Sequence, residues 1–211
     1  MHKKLLVTAY FVIAALLQTL AGNFPLSFFA FPLNVIVAVI WIYSLWRLYK
    51  EGNKLPLTRF LLSSRTSVLS ILLLIGGSLV IGLFPQLSEA EADSIPGVLA
   101  SLGCYNFMIS WIFIAILFLL LSNLAMVIIH AFYHCVPAKK RFILNHLGLW
   151  LALFAGFFGS SDVQTLRIPL YAGQPGREAY SMDGKAYYLD YELELYSFLS
   201  LIHISEPTRR V

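Results

Sequence analysis

Five long apolar stretches, separated by short polar segments, dominate the chain. They cover residues 5–22, 33–49, 66–84, 108–129 and 142–159, and none of them contains Asp, Glu or Lys. A helix that crosses the hydrocarbon core of a bilayer needs about 20 mostly apolar residues. The pattern therefore predicts an all-α integral membrane bundle of five transmembrane helices.

After the fifth stretch the pattern changes to alternation. Residues 189–195 read Leu-Asp-Tyr-Glu-Leu-Glu-Leu, and such alternation of apolar and acidic side chains is typical of a half-buried β-strand. Asp183-Gly184 predicts a hairpin turn between this strand and one at 178–182, and residues 167–171 predict a third short strand. We expect a β-rich extracytoplasmic domain to start near residue 160. So few strands are marginally stable alone, which indicates that the domain is cut off.

Composition agrees with a membrane protein. Of the 211 residues, 59% are hydrophobic and 12% are charged, and the mean hydropathy is +0.76. Soluble domains average about 45–50% apolar and about 25% charged residues, which excludes a water-soluble globule. The net charge of +4 is small and scattered along the chain, so no nucleic-acid partner is expected.

The charged residues alternate in sign between the segments that connect the apolar stretches. Lys3 and Lys4 precede the first stretch. The second stretch ends at and is followed by Arg47, Lys50, Lys54, Arg59 and Arg65, and the fourth is followed by Lys139, Lys140 and Arg141. The third stretch is followed by acidic residues: Glu89, Glu91 and Asp93. The positive-inside rule then predicts a cytoplasmic N-terminus and an extracytoplasmic C-terminal domain. Cys104 and Cys135 would lie on opposite faces of the membrane, which excludes a disulfide between them.

The first stretch has a second interpretation as a cleaved signal peptide, because two lysines precede it and Ala21-Gly22 ends it. Aromatic residues follow it directly, at Phe24, Phe28, Phe29 and Phe31. An aromatic belt at the membrane interface explains these residues better. We therefore expect the first stretch to be retained.

The last residues differ in kind from the rest of the chain. Residues 199–209, Leu-Ser-Leu-Ile-His-Ile-Ser-Glu-Pro-Thr-Arg, resemble a translated transposase sequencing adapter, an artefact that recurs in open reading frames from shotgun assemblies. We interpret residues 199–211 as this artefact and expect the natural protein to continue past Phe198. The alternative is that residues 199–204 form one more strand of the β-rich domain.

Histidine is the candidate chemistry of the membrane part, because buried carboxylates and lysines are missing from the five stretches. His146 lies five residues after Arg141, or about 7 Å inside the membrane boundary at about 1.5 Å per residue. A helical wheel places His146 and Trp150 on one stripe together with Leu153 and Phe157. The opposite stripe has small residues that would let another helix approach closely: Gly148, Ala152, Ala155 and Gly159.

A stripe of this kind would suit a haem, which needs a neutral imidazole as axial ligand and apolar side chains against its ring. His146 would be the ligand and Trp150 the wall. The alternative is a structural histidine that bonds a neighbouring helix or interfacial water, since an unpaired polar group in hydrocarbon is costly. The pattern alone leaves both interpretations open.

Two further histidines, His130 and His134, are spaced i, i+4 at the cytoplasmic end of the fourth stretch and so share one helical face. They could bind a metal or supply a second haem ligand near the depth of His146. The alternative is a pair of interfacial histidines, favoured there by the dipole of the helix C-terminus. In the same helix, Ser122 and Asn123 are predicted to donate interhelical hydrogen bonds.

Several short segments occur in a characteristic order. These are Phe84-Pro85-Gln86 after the third stretch, Ser110-Trp111-Ile112-Phe113 at the start of the fourth, Ser122-Asn123 within it, Asn145-His146-Leu147-Gly148 at the start of the fifth, and the β-rich region 173–198. In this order they resemble the ResB (CcsB) component of the System II cytochrome c maturation machinery. The resemblance covers residues 65–198, about two thirds of the chain.

The resemblance implies a function shared with a tryptophan-rich membrane subunit, CcsA (ResC). Together the two would move haem b across the bacterial cytoplasmic (inner) membrane for covalent attachment to Cys-x-x-Cys-His motifs of apocytochrome c. His146 would be one axial haem ligand and the partner would supply the other. This chain has no Cys-x-x-Cys pair, and a thioredoxin-like thiol reductant is a further implied partner. The chain is not expected to act as an enzyme alone.

The predicted organisation has four parts. Residues 1–64 form two N-terminal transmembrane helices and a basic cytoplasmic loop, and residues 65–159 form a ResB-like three-helix membrane core. Residues 160–198 are the start of the external β-rich domain, and residues 199–211 are the artefact. Two other functions stay open. One is a b-type electron-transfer subunit in which His130 or His134 pairs with His146, and the other is a non-catalytic membrane scaffold in which all three histidines are structural.

Overall fold

The computed structural model describes residues 2–52, 55–87, 91–92, 94–134, 140–163, 165–181 and 184–197. The chain divides into two compact units, Met1–Asp162 and Val163–Val211. The first is helical and the second contains a small sheet. Cys135 and the adapter-like residues 199–211 lie outside the described residues, so both interpretations of the tail stay predictions.

Each of the five apolar stretches corresponds to one long helix, and short helices lie in the connecting segments. The α-helices given bounds are α1 (His2–Ala21), α2 (Leu33–Lys50), α3 (Pro56–Leu61), α4 (Ser64–Leu83), α5 (Val98–Ser101), α6 (Trp111–Tyr133) and α7 (Lys140–Phe158). Short 3₁₀ helices cover Leu26–Phe29, Cys104–Ile109 and Ser160–Asp162.

Four helices, α2, α4, α6 and α7, are long and apolar enough to cross a membrane. This is compatible with a membrane protein and makes four of the five predicted spans candidate membrane-spanning helices. Helix α1 is not among these four, and within the described residues its apolar segment covers Val7–Ala21. The fifth span therefore stays a prediction.

Helix α6 is the centre of the helical unit. It packs against α1, α2, α4 and α7, and 61% of its most apolar window is buried, against 17–22% in the other three candidate spans. The outer helices turn large apolar side chains outward, for example Val39 on α2 and Leu79 on α4, each 60% exposed. Extensive exposed apolar surface is costly in water, so these faces suit contact with lipid.

The residues after α1 have a different role from the predicted aromatic belt. Phe24 and Phe29 are only 8% and 6% exposed and belong to a cluster with Phe157 and Phe158 at the end of α7. Phe31 points outward, with 74% exposed, and the side chain of Phe28 lies outside what the structure describes. The belt prediction is therefore wrong for Phe24 and Phe29, whose rings gain more from mutual packing than from the interface.

Buried amides tie the loops and helices together. Gln18 of α1 accepts a hydrogen bond from the N–H of Trp111 at 2.9 Å, and Asn123 of α6 donates to the carbonyl of Leu61 at 2.6 Å. The prediction for Asn123 is thus confirmed. The structure gives Ser122 no hydrogen-bond partner among the residues that it describes.

The second unit is a three-stranded antiparallel sheet in the order β1 (Leu166–Arg167), β2 (Pro175–Ser181) and β3 (Ala186–Glu194). The predicted antiparallel pairing of β2 with β3 is confirmed, and both strands begin three residues earlier than predicted. Met182 and Asp183, at the predicted turn, lie outside the described residues. The third strand is shorter than predicted. The alternation in β3 brings little burial, since Leu189 is only half-buried and its neighbours are exposed.

Candidate functional site

His146 lies in the second turn of α7 and is half-buried. Its ring packs against Phe142, one turn earlier in the same helix, with 3.8 Å between the ring centroids and 30° between the ring planes. The Nδ1 atom of His146 lies 2.8 Å from the carbonyl oxygen of Phe142. Since a carbonyl oxygen only accepts hydrogen bonds, Nδ1 must carry the proton in this contact.

This tautomer leaves Nε2 of a neutral His146 with a free lone pair. Histidines that bind metals are usually held in this way, with one ring nitrogen donating to a carbonyl or carboxylate and the other facing the metal. The contact with Phe142 also satisfies the polar requirement of a purely structural histidine. The local geometry is therefore suited to an axial ligand without demanding one.

Trp150 is committed to contacts inside the helical unit. Its indole N–H donates to the carbonyl of Leu121 in α6 at 3.1 Å. Its ring stacks with Trp41 of α2, with 6.3 Å between centroids, and with Phe154, with 4.7 Å. Its assignment as a haem wall stays a prediction, and these contacts show that the ring also holds α2, α6 and α7 together.

The stripe of small residues on α7 does not pack as predicted within the described part of the chain. Gly148, Ala152 and Ala155 are exposed, and a Cβ added to Gly148 would meet nothing within 4 Å. The opposite face packs instead, with Phe157 only 9% exposed. The physical reason is that large aromatic side chains remove more apolar area from contact with solvent or lipid than alanine and glycine do.

His130 and His134 lie where α6 ends, and their rings share one side of the helix as the spacing predicts. Their centroids are 4.5 Å apart, both side chains are exposed, and His134 is the residue that caps the helix. Nδ1 of His130 lies 3.2 Å from the Tyr49 hydroxyl of α2. Both residues are thus positioned at the end of the bundle that carries the basic residues.

Aromatic residues that sequence reasoning did not connect with these histidines complete the cluster. Tyr49 stacks with Tyr133 at 5.1 Å between centroids, and Trp46 donates from its indole N–H to the Tyr133 hydroxyl at 3.2 Å. Lys50 lies over the Trp46 ring, 4.1 Å from its centroid. The only signal in the sequence is the recurrence of aromatic residues beside basic ones at the ends of two stretches.

In the described ranges, no group of three or more His, Cys, Asp or Glu side chains could hold a metal ion. A haem already supplies four equatorial nitrogens, so it needs at most two protein ligands. A single imidazole such as that of His146 is the kind of group that could fill one of these positions. The role of His146 as a haem ligand stays a prediction.

Three motif residues of the ResB resemblance have structural roles. Gln86 donates to the carbonyl of Cys104 at 3.1 Å and accepts from the N–H of Phe107 at 2.9 Å. Ser110 caps α6 by accepting from the N–H of Phe113 at 3.2 Å. Asn123 joins α6 to the end of α3. These residues position α6 and the loop before it, whatever the function.

Comparisons of the chain with protein-family models, with curated proteins and with solved structures find no match. The functional argument therefore depends on the residues and on their geometry.

Proposed function

We propose that the chain is a membrane subunit of a cytochrome c synthase, which with a CcsA-type partner transfers haem b across the bacterial cytoplasmic membrane for covalent attachment to apocytochrome c. The observation that carries this proposal is the 2.8 Å contact between Nδ1 of His146 and the Phe142 carbonyl oxygen, which leaves Nε2 as the ring nitrogen available to a ligand. The ordered resemblance to ResB, with His146 at the start of α7, supports the same function.

In this proposal His146 binds and orients. Haem supplies an iron centre that accepts nitrogen ligands. The contact with the Phe142 carbonyl orients the imidazole plane, and the Phe142 ring at 3.8 Å limits rotation of the histidine ring. The partner contributes the opposing ligand and the tryptophan-rich surface, and a thioredoxin-like reductant keeps the acceptor cysteines of apocytochrome c reduced.

The test is co-expression of the chain with a CcsA-type subunit, followed by purification and measurement of haem occupancy and the Soret spectrum. Replacement His146→Ala should lower haem occupancy by about tenfold or more, since even removal of an outer-shell partner costs 10–100-fold at metal sites. Added imidazole should restore the spectrum. The matched control is Asn145→Ala, the exposed neighbour on the same helix. Unchanged occupancy and ligation in His146→Ala would overturn the assignment and favour a scaffold role.

A second function is favoured by a separate observation, the 4.5 Å contact between the rings of His130 and His134 beside Tyr49. In a b-type electron-transfer subunit, one of these histidines would pair with His146 within the same chain. The isolated chain would then show reversible haem reduction, and replacement of either histidine of the pair would abolish this signal. A synthase subunit predicts that His130→Ala and His134→Ala keep the Soret spectrum of the complex.

The proposed topology follows the charge pattern, with the N-terminus and the basic segments cytoplasmic and the β-rich region outside. The four candidate spans support a multi-pass membrane protein. The sidedness rests on the positive-inside rule.

A further inference from the structure

Two cavities adjoin each other between α1 and the segment from α2 to α4. The first has a volume of about 410 Å³ and lies among α1, α2, α3 and α6, and the second, of about 390 Å³, lies between α1 and the start of α4. Val7 and Phe60 line both, so the two cavities share a wall. They lie at the end of the helical unit that carries the basic residues Arg59 and Arg65.

The first cavity is apolar. Its lining consists of leucines, phenylalanines and a valine with a few hydroxyl-bearing residues. Two of those hydroxyls are already bonded, since Tyr10 donates to the carbonyl of Ala115 at 2.8 Å and Ser44 to that of Ile40 at 2.7 Å. A guest in this cavity would thus meet hydrocarbon contacts, which suits an acyl chain.

The second cavity has a positive charge and hydroxyl-bearing residues in its lining. Arg65 lines it together with Thr8, Ser63 and Thr66. The ion pairs among the described residues are Arg47–Glu51 and Arg177–Glu192, so Arg65 has no carboxylate partner there. Ser63 makes no capping bond with its side chain. The Thr66 hydroxyl already donates to the carbonyl of Phe60 at 2.6 Å. The Arg65 guanidinium beside the hydroxyls of Thr8 and Ser63 matches a phosphate, which a guanidinium can bind through two parallel N–H groups.

We propose that the two cavities form a binding site for one anionic phospholipid, with an acyl chain in the apolar cavity and the phosphate headgroup at Arg65. Charge complementarity favours this occupant, because Arg65 lies where α4 begins and the apolar cavity adjoins its cavity at Val7 and Phe60. A free phosphate would use Arg65 without the apolar cavity, and a zwitterionic lipid would gain little from the unpaired guanidinium. The site is independent of the proposed haem function.

The test uses the purified 211-residue chain, reconstituted with an equimolar mixture of dioleoyl phosphatidylglycerol and dioleoyl phosphatidylcholine, and native mass spectrometry of the lipid that it retains. One phosphatidylglycerol should be retained with about tenfold preference. Arg65→Gln should lower the preference for phosphatidylglycerol to about one. The matched control is Arg59→Gln, because Arg59 lies in the same basic segment but does not line either cavity. This variant should keep the tenfold preference. Arg65→Lys, which keeps the charge, should retain part of the preference.

A second pair of variants tests the apolar cavity. Ser44→Phe should fill it and lower retention of both lipids, and Ser78→Phe is the matched control. Both serines are exposed and donate to the carbonyl four residues earlier, but Ser78 is on α4 and does not line the cavity. Any of three results would overturn the proposal. The unaltered chain could retain the two lipids equally, Arg65→Gln and Arg59→Gln could have equal effects, or glycerol 3-phosphate could displace phosphatidylglycerol. Thermal unfolding confirms that each variant is folded.

Discussion

The side-chain amide of Asn34 donates a hydrogen bond to Oδ2 of Asp162 across 2.6 Å. The same amide donates to the carbonyl of Phe158 at 3.0 Å, and the other carboxylate oxygen of Asp162 accepts from the N–H of Phe31 at 2.9 Å. These bonds join the start of α2 to the end of α7, two elements more than 120 residues apart in sequence. Because Asn34 is only 6% exposed, the carboxylate satisfies a donor that water reaches poorly.

Replacement Asp162→Ala should lower the free energy of unfolding by about 1–3 kcal/mol, because the Asn34 amide loses an acceptor while it stays buried. Equilibrium unfolding in mixed micelles measures the change. The control is Glu51→Ala, which removes an exposed ion pair with Arg47 at 3.9 Å and should change stability by less than about 1 kcal/mol. An equal effect of the two substitutions would contradict a structural role for Asp162.

Replacement Asn123→Leu should lower the free energy of unfolding by about 0.6–1.7 kcal/mol, the range found for interhelical hydrogen bonds in membrane proteins. Asn123 is 3% exposed and donates to Leu61 at 2.6 Å, so the substitution removes the bond that holds α3 against α6. The same unfolding measurement applies. Ser122→Ala, on the same helix, serves as control and should be nearly neutral. A neutral Asn123→Leu would show that the bond adds nothing to stability.

The two ends of α1 should be labelled from opposite sides of the membrane if this helix crosses it. We suggest Leu5→Cys and Phe31→Cys, whose native side chains are 70% and 74% exposed, in a chain with Cys104→Ser and Cys135→Ser. A membrane-impermeant maleimide added to intact cells should label the second variant and spare the first. Labelling of both from the same side would show that α1 lies along the interface and that the spans number four.

Cys104 should react slowly with thiol reagents in the folded chain. Burial raises the pKa of its thiol, so less of the reactive thiolate is present near neutral pH, and the side chain is only 9% exposed. The comparison uses two chains that both carry Cys135→Ser. The first keeps Cys104, and the second carries Cys104→Ser and Val98→Cys at a position that is 75% exposed. Alkylation of Cys104 in the first chain should be slower by about tenfold or more than alkylation of the new cysteine in the second. Unfolding should abolish the difference. Equal rates in the folded chains would show that Cys104 is accessible.

Hydropathy was sufficient to predict the long helices because each apolar stretch is long enough to form one continuous helix. The ends of α2, α4, α6 and α7 lie within about four residues of the predicted limits. The period of two likewise predicted the hairpin of β2 and β3. Asn123 was also predictable as an interhelical donor, because an amide deep in an apolar helix needs a partner.

The aromatic residues could not be assigned from the sequence. A tryptophan or phenylalanine near the end of a helix suits a membrane interface and a helix contact equally well. In the structure Trp41 and Trp150 stack at 6.3 Å with 16° between their planes, and Phe24 and Phe29 fill the space beside α7. The pairing of helices decides between the two roles, and periodicity carries no information about which helices are neighbours.

The sequence by itself determined the long apolar helices, the alternation of charge, the three candidate histidines and the pairing of β2 with β3, because hydrophobicity and periodicity act locally along the chain. Only the tertiary structure decided which face of α7 packs, which nitrogen of His146 carries a proton, and that Tyr49 and Tyr133 accompany His130. The reason is physical. Those properties depend on side chains that come together from different helices, or on the rotamer of His146 that faces the Phe142 carbonyl. The spacing of apolar residues along the chain predicts neither of them.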